Sequence, residues 1–147
     1  MMDAGRSFSG NERNCFFINL GNGKFADISG LSGLDFPDDG RAISVTDWDN
    51  DGDLDLWITN RNAPRLRLMR NDTKEVNSFI SLRLSGNGKT VNKDAIGARI
   101  EIINGNDSGK FKQIKTLRAG QGFLSQSSKW IQFALNETIK SINIKIS

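Results

Sequence analysis

Hydrophobic and polar residues alternate along most of this chain. Residues 65–70 read RLRLMR and residues 141–146 read SINIKI. A period of two is typical of β-strands with one buried face. We find no segment with helical periodicity, so the pattern predicts an all-β protein. The predicted strands are Cys15–Leu20, Lys24–Ser29, Ala42–Thr46, Leu54–Thr59, Arg65–Arg70, Ile80–Leu84, Ala98–Ile103, Phe111–Leu117, Lys129–Leu135 and Ser141–Ile146.

Turn signals separate these strands. The triplets Gly21-Asn22-Gly23 and Gly86-Asn87-Gly88 are strong hairpin and turn sequences. Residues 30–40 form a glycine- and proline-containing loop, and Pro64 breaks the chain before the strand at 65–70. Many short strands joined by such turns indicate an all-β architecture built from antiparallel pairs.

The charges divide unevenly along the chain. Residues 1–75 have a formal balance of −4, whereas residues 76–147 have a balance of +7. The change falls in the polar stretch 71–77, where we place a domain boundary. The lysines of the second half are dispersed along strands, so we expect solvated strand faces and no nucleic-acid groove.

Composition excludes several classes of function. The chain has 147 residues and no histidine, which removes histidine-based catalysis and most zinc sites. Cys15 is the single cysteine, and its apolar neighbours favour a buried, inert thiol. No apolar run reaches the ~20 residues of a membrane span. No signal peptide is visible.

The segment DWDNDGDLD, residues 47–55, is the strongest candidate for a functional site. It carries carboxylates at every second position, and Gly52 provides freedom for a sharp turn. Alternating carboxylates in a tight loop suit Ca²⁺, which takes six to eight oxygen ligands. The expected ligands are the side chains of Asp47, Asp49, Asp51 and Asp55, together with the backbone carbonyl of Asp53.

This loop departs from the EF-hand pattern that its first residues match. An EF-hand needs a bidentate glutamate at loop position 12 and flanking helices. Position 12 is Ile58 here, and the flanking segments Ala42–Thr46 and Leu54–Thr59 read as strands. The loop is therefore predicted to join two strands.

Residues 16–70 resemble an FG-GAP/VCBS repeat, the Ca²⁺-binding blade of integrin-type β-propellers. The resemblance lies in FINLGNGKFADIS, DDGRA, DWDNDGDLDLWITN and RLRLMRN. It implies that Ca²⁺ binds the loop through Asp47, Asp49, Asp51, Asp53 and Asp55. A single blade would leave sheet edges and one face unburied, so we expect further blades of a longer chain, the second unit or an oligomer to cover it.

The second half resembles an ASPIC/UnbV domain through NKDAIGARIEI at 92–102 and RAGQGFLSQSS at 118–128. The two resemblances together imply the C-terminal part of a cartilage-acidic-protein-like chain. They imply an N-terminal tail at 1–14, a blade with the calcium loop at 15–72, and a small sandwich- or barrel-like β domain at 76–147. The last of these is expected to be truncated at its C-terminus.

The sequence and its resemblances together predict a non-catalytic, calcium-binding surface module that mediates protein interaction or adhesion. The family and the calcium loop imply an extracellular, periplasmic or cell-surface location. The alternative is a calcium-dependent carbohydrate-binding module that uses Trp48, while Trp57 and Trp130 are expected in the core. A metal-assisted hydrolase using Asp38-Asp39 is disfavoured, because this pair reads as solvated turn residues. The partner is therefore an unidentified protein or glycan.

Overall fold

A computed structural model describes residues 12–73, 78–106, 109–135 and 142–147. The all-β prediction is confirmed. The strands are β1 (Phe17–Gly21), β2 (Lys24–Asp27), β3 (Gly40–Thr46), β4 (Asp55–Asn60), β5 (Leu66–Met69), β6 (Phe79–Arg83), β7 (Arg99–Asn106), β8 (Gly109–Thr116), β9 (Trp130–Ala134) and β10 (Ile142–Ile146). One feature was not predicted, a single helical turn α1 (Ser29–Ser32) that ends at Gly33 in the left-handed region.

The first unit contains two antiparallel sheets where the sequence predicts one. Strands β1 and β2 form a hairpin, and β3, β4 and β5 form a three-stranded sheet in chain order. Ser44 pairs with Trp57, which in turn pairs with Leu68. The helical turn and the loop after it separate the end of β2 from the start of β3, so the hairpin makes no ladder with the larger sheet.

The second unit buries the main hydrophobic core. Strands β6 and β9 pair with each other, and β7 lies between β10 and β8 in a second sheet. Ile100 and Ile102 from β7 and Phe133 from β9 are fully buried in one cluster with Ile131 and Leu117. Each such side chain contributes roughly 1.5–3 kcal/mol of burial energy. Because both sheets supply the cluster, this unit matches the sandwich-like arrangement expected of it.

The hairpin of the first unit presents apolar side chains to solvent. Phe17, Ile18, Leu20, Phe25 and, beside them on the helical turn, Leu31 are all exposed. Both sides of the β1 strand are therefore exposed. Residues 12–14 are nevertheless not a free tail, because Arg13 pairs with Asp35 at 2.6 Å and the backbone N–H of Asn14 donates to Phe36 O. Residues 1–11 of the predicted tail lie outside the described residues.

Two side chains that were predicted to be buried are exposed. Cys15 is exposed, and it directly precedes the hairpin strand β1, whose residues are exposed as well. Trp130 is 52% exposed, because it stands at the first position of β9, before the strand enters the core at Ile131. Trp57 is partly buried, in line with its expected inward position.

The two units are joined along the outer edge of β3. Ser44 Oγ donates to Gln126 O at 2.8 Å, Val45 N donates to Ser127 Oγ at 3.1 Å, and Ser128 N donates to Val45 O at 3.0 Å. These bonds satisfy backbone groups that an edge strand otherwise offers to other chains. The predicted boundary at 71–77 falls partly on residues 74–77, which lie outside the described residues.

Candidate metal centre

The acidic loop connects β3 to β4, as predicted. Thr46 and Asp55 are Cα partners in the ladder, so the loop between them begins and ends at neighbouring points of one sheet. This closure returns the chain on itself within eight residues. It directs the alternating carboxylates toward a common region above the end of the strand pair.

Three of the five predicted ligands converge. Asp47, Asp49 and Asp55 each offer a carboxylate oxygen, and these oxygens all lie within 4.8 Å of one another. Two carboxylates at such distances repel strongly unless a cation or a proton intervenes. Asp51 and Asp53 are not part of this group in the described structure.

Asp55 is the buried anchor of the group. It is 1% exposed, and its two oxygens accept hydrogen bonds from the backbone N–H groups of Trp48 and Asn71, each at 2.8 Å. A carboxylate oxygen has two lone-pair sites, so each can accept one backbone bond and still face a cation. Asp55 thus ties the loop to the segment after β5.

Asp47 carries the observation most specific to a cation site. Its Oδ2 accepts a bond from Gly52 N at 3.2 Å, whereas its Oδ1 is buried without a hydrogen-bond partner among the described residues. An unpaired buried carboxylate oxygen costs free energy unless a cation or water satisfies it. The donor set therefore fits a hard cation such as Ca²⁺.

Asp51 and Asp53 shape the loop. Asp51 Oδ1 accepts the N–H of Asp53 at 2.9 Å, the side-chain turn that aspartate favours. Partial burial raises the pKa of the Asp53 carboxyl, and repulsion from the neighbouring carboxylates of Asp51, Asp47, Asp55 and Asp49 adds to that rise. The negative charge of the loop therefore also acts on Asp53, which lies outside the converging group.

Gly52 is required by both its backbone and its surroundings. Its φ is +95°, a conformation that residues with a Cβ adopt at a cost. A Cβ built there would stand 2.1 Å from the ring of Phe79, the first residue of β6. The loop therefore lies directly against the second unit, a contact that the sequence did not reveal.

Trp48 is the aromatic residue of the loop. It is more than half exposed, and its ring meets Trp57 edge-on with 5.1 Å between centroids. Edge-to-face packing of this kind adds about 0.5–1.5 kcal/mol beyond burial. Trp48 thus packs the loop against β4, while more than half of the Trp48 side chain remains exposed to solvent.

The Asp38-Asp39 pair was predicted to be solvated, and this was wrong. Both residues are buried. The Arg67 guanidinium forms an ion pair with Asp38, and Asp39 pairs with Arg41 at 2.9 Å. Arg67 also lies over the Phe36 ring at 4.0 Å. The partner of Asp38 is 29 residues away in sequence, so neighbouring residues could not reveal the burial.

Comparison with known families identifies the second unit. A family model described as ASPIC and UnbV matches residues 88–146, so an ASPIC/UnbV domain is present there. The match includes both sequence motifs on which this resemblance rests. No curated protein matches the chain. The likeness of residues 16–70 to FG-GAP/VCBS repeats stays a prediction.

Among the described residues, no helix is long and apolar enough to cross a membrane.

Proposed function

We propose that the chain is a non-catalytic, calcium-binding module in which Ca²⁺ occupies the loop of residues 47–55. The observation that carries this proposal is the convergence of Asp47, Asp49 and Asp55 around a buried Asp47 oxygen that has no partner among the described residues. Asp51 and the backbone carbonyl of Asp53 are the further oxygen donors that the alternating sequence offers. Water would complete the coordination.

The ion would act on the fold through electrostatics. It would replace repulsion among the carboxylates by attraction to a shared charge, and it would hold the loop against β4, Asn71 and Phe79. A ligand that binds only the folded state stabilises it by about 2.7 kcal/mol at a hundredfold excess over Kd. The consequence is a rigid junction between the two units.

The role of such a module is binding. The resemblance to FG-GAP/VCBS blades favours an exported, surface-located protein whose partner is another protein or a glycan. The exposed apolar hairpin supports contact with further blades or another chain. A hydrolase using Asp38-Asp39 is disfavoured, because both carboxylates are buried and paired with arginines.

Isothermal titration of the metal-free protein with Ca²⁺ tests the proposal. We expect saturable Ca²⁺ binding by wild type and a Kd at least tenfold higher for Asp47→Asn. Glu12→Gln is the matched control, because it also removes one negative charge, at an exposed carboxylate outside the converging group. Absence of binding by wild type, or equal binding by Asp47→Asn, would refute a calcium site here.

A calcium-dependent carbohydrate site is the second candidate, favoured by the exposed surface of Trp48 beside the carboxylates. For such a site, glycan binding should disappear when EGTA removes Ca²⁺ and when Trp48 is replaced by alanine. If the partner is only a protein, a glycan array should show no binding either with Ca²⁺ or with EGTA.

A further inference from the structure

A second site lies on the other side of the junction between the units. A cavity of about 330 Å³ opens between the end of β3 and the strands β8 and β9. Its walls include Lys115, Arg118, Ser127, Trp130 and Gln132, and none of the described residues that line it is acidic. The volume falls at the small end of the range for small-molecule pockets.

Two cations border this cavity. Lys115 Nζ donates one hydrogen bond to Gln132 O at 2.6 Å and lies 5.3 Å from the centre of the Phe133 ring, and the ammonium group has three protons to donate. Arg118 lies just after β8, is exposed, and makes no ion pair with any described residue. An arginine fork without a carboxylate partner is suited to a planar anionic group.

Trp130 supplies a flat apolar wall. It is 52% exposed, although it belongs to a strand whose next three residues are buried. The same ring lines a neighbouring cavity of about 410 Å³, which reaches Asp47 and Asn50 of the acidic loop. Ser128 and Gln132 also border both cavities, so the two form adjoining compartments on either side of one aromatic side chain.

From this arrangement we infer that the cleft around Trp130 binds an acidic saccharide. The ring provides a surface for the apolar face of a sugar, and the serine and glutamine groups provide hydrogen bonds to hydroxyls. Arg118 and Lys115 bind the carboxylate or sulfate group. Most of these groups belong to the second unit, so the inference stands apart from calcium binding and from Trp48.

Saccharide binding explains the mixed character of the lining better than nucleotide binding does. The lining holds hydroxyl and amide side chains beside only two cations, Lys115 and Arg118. A phosphate chain would call for a run of clustered cations or backbone N–H groups, such as a helix N-terminus. Two cations together with serine and glutamine side chains in one cleft suit a ligand that carries an anionic group and several hydroxyls.

A panel of uronate- and sulfate-bearing oligosaccharides, each with a neutral counterpart of equal length, tests the inference by titration of the full chain. We expect binding of at least one acidic oligosaccharide, weaker binding of its neutral counterpart, and loss of affinity with rising salt. Arg118→Ala should weaken binding about tenfold or more, the usual effect of losing a charged hydrogen bond. Arg65→Ala, which removes an exposed arginine of the first unit, should leave it unchanged.

Trp130→Ala should abolish binding, and Trp130→Phe should retain part of it if the ring is a stacking surface. Thermal melts of each variant separate loss of the site from loss of the fold. The inference is overturned if no acidic oligosaccharide binds with Kd below about 1 mM, or if neutral ones bind equally. It is also overturned if a single-stranded oligonucleotide binds in preference, or if Arg118→Ala binds like wild type. Repeating the titration in EGTA keeps this result separate from the calcium proposal.

Discussion

The ring of Phe79 occupies the space that a side chain on Gly52 would need. A Cβ on Gly52 would lie 2.1 Å from Cδ1 of that ring, and the φ of Gly52 is +95°. The acidic loop of the first unit and the first strand of the second unit are thus fitted to each other at a position where only glycine is compatible with both constraints.

Substitution of Gly52 should therefore be costly. We expect Gly52→Ala to destabilise the fold by about 2 kcal/mol or more, from the left-handed backbone and from displacement of Phe79. Urea unfolding measures the loss. Gly30→Ala is the matched control, because Gly30 is not in the left-handed region and has open space around its Cβ position. In the double variant Gly52→Ala/Phe79→Ala, part of the loss due to the new Cβ should be recovered. An equal loss for Gly30→Ala would show that the contact is unimportant.

Asp55 and Asp49 should differ in their contribution to the stability of the calcium-free protein. Asp55→Ala should destabilise the calcium-free protein by on the order of 3 kcal/mol, because the N–H groups of Trp48 and Asn71 would lose a buried acceptor. Asp49→Asn should change the stability of the calcium-free protein little, because it removes repulsion from the neighbouring carboxylates but also a long, partly exposed ion pair with Arg70 at 3.8 Å. Both should weaken the stabilisation that we propose for Ca²⁺. Melting curves in EGTA and in Ca²⁺ separate the two effects, and equal losses in EGTA would contradict the distinction.

Arg67 should stabilise the first unit through Asp38. Arg67→Met leaves the buried Asp38 carboxylate without its cation, and we expect a loss of about 2 kcal/mol, less than for a fully buried pair because Arg67 is partly exposed. Arg67→Lys should recover only part of this, because lysine lacks the planar fork that lies over Phe36. Arg65→Met, at an exposed neighbour on the same segment, should change the free energy of unfolding by less than about 0.5 kcal/mol.

Acid should weaken the second unit through Asp94. The hydrogen bond from Lys129 at 2.5 Å lowers the pKa of the Asp94 carboxyl, and the charges of Lys129 and Arg83 lower it further. A carboxyl with a depressed folded pKa contributes stability that is fully present above its unfolded value, about 3.9. That contribution is lost as the pH falls through the folded value.

The pH dependence can be measured against a neutral variant. Asp94→Asn should be less stable than wild type at pH 7, and the difference should shrink as the pH falls below about 4. Glu12→Gln, at an exposed carboxylate with no ion pair to a described residue, should show little difference at either pH. A gap between wild type and Asp94→Asn that stays constant from pH 7 to pH 2 would contradict the role assigned to this carboxylate.

Local sequence predicted those parts of the fold that depend on neighbouring residues. The alternation around Ile58 and Ile144 gave the strands, and Gly52 among alternating aspartates gave the loop and its converging carboxylates. Contacts between distant segments were not predictable in this way. Asp38 reads as a turn residue because its partner Arg67 is far along the chain. A tryptophan in a predicted strand reads as core, whereas Trp130 stands at the exposed first position of β9. No sequence pattern around Gly52 or Phe79 indicates that these two residues lie against each other.

The bonds between β3 and residues 126–128 have a consequence for the order of folding. Ser44 and Gln126 are separated by 82 residues, and so are Val45 and Ser127. Closing so long a segment is entropically slow, so these contacts form late compared with the hairpins on either side. During synthesis the edge of β3 stays open until residue 128 has left the ribosome. We expect the open edge of β3 to be available for pairing with another copy of the chain until that closure.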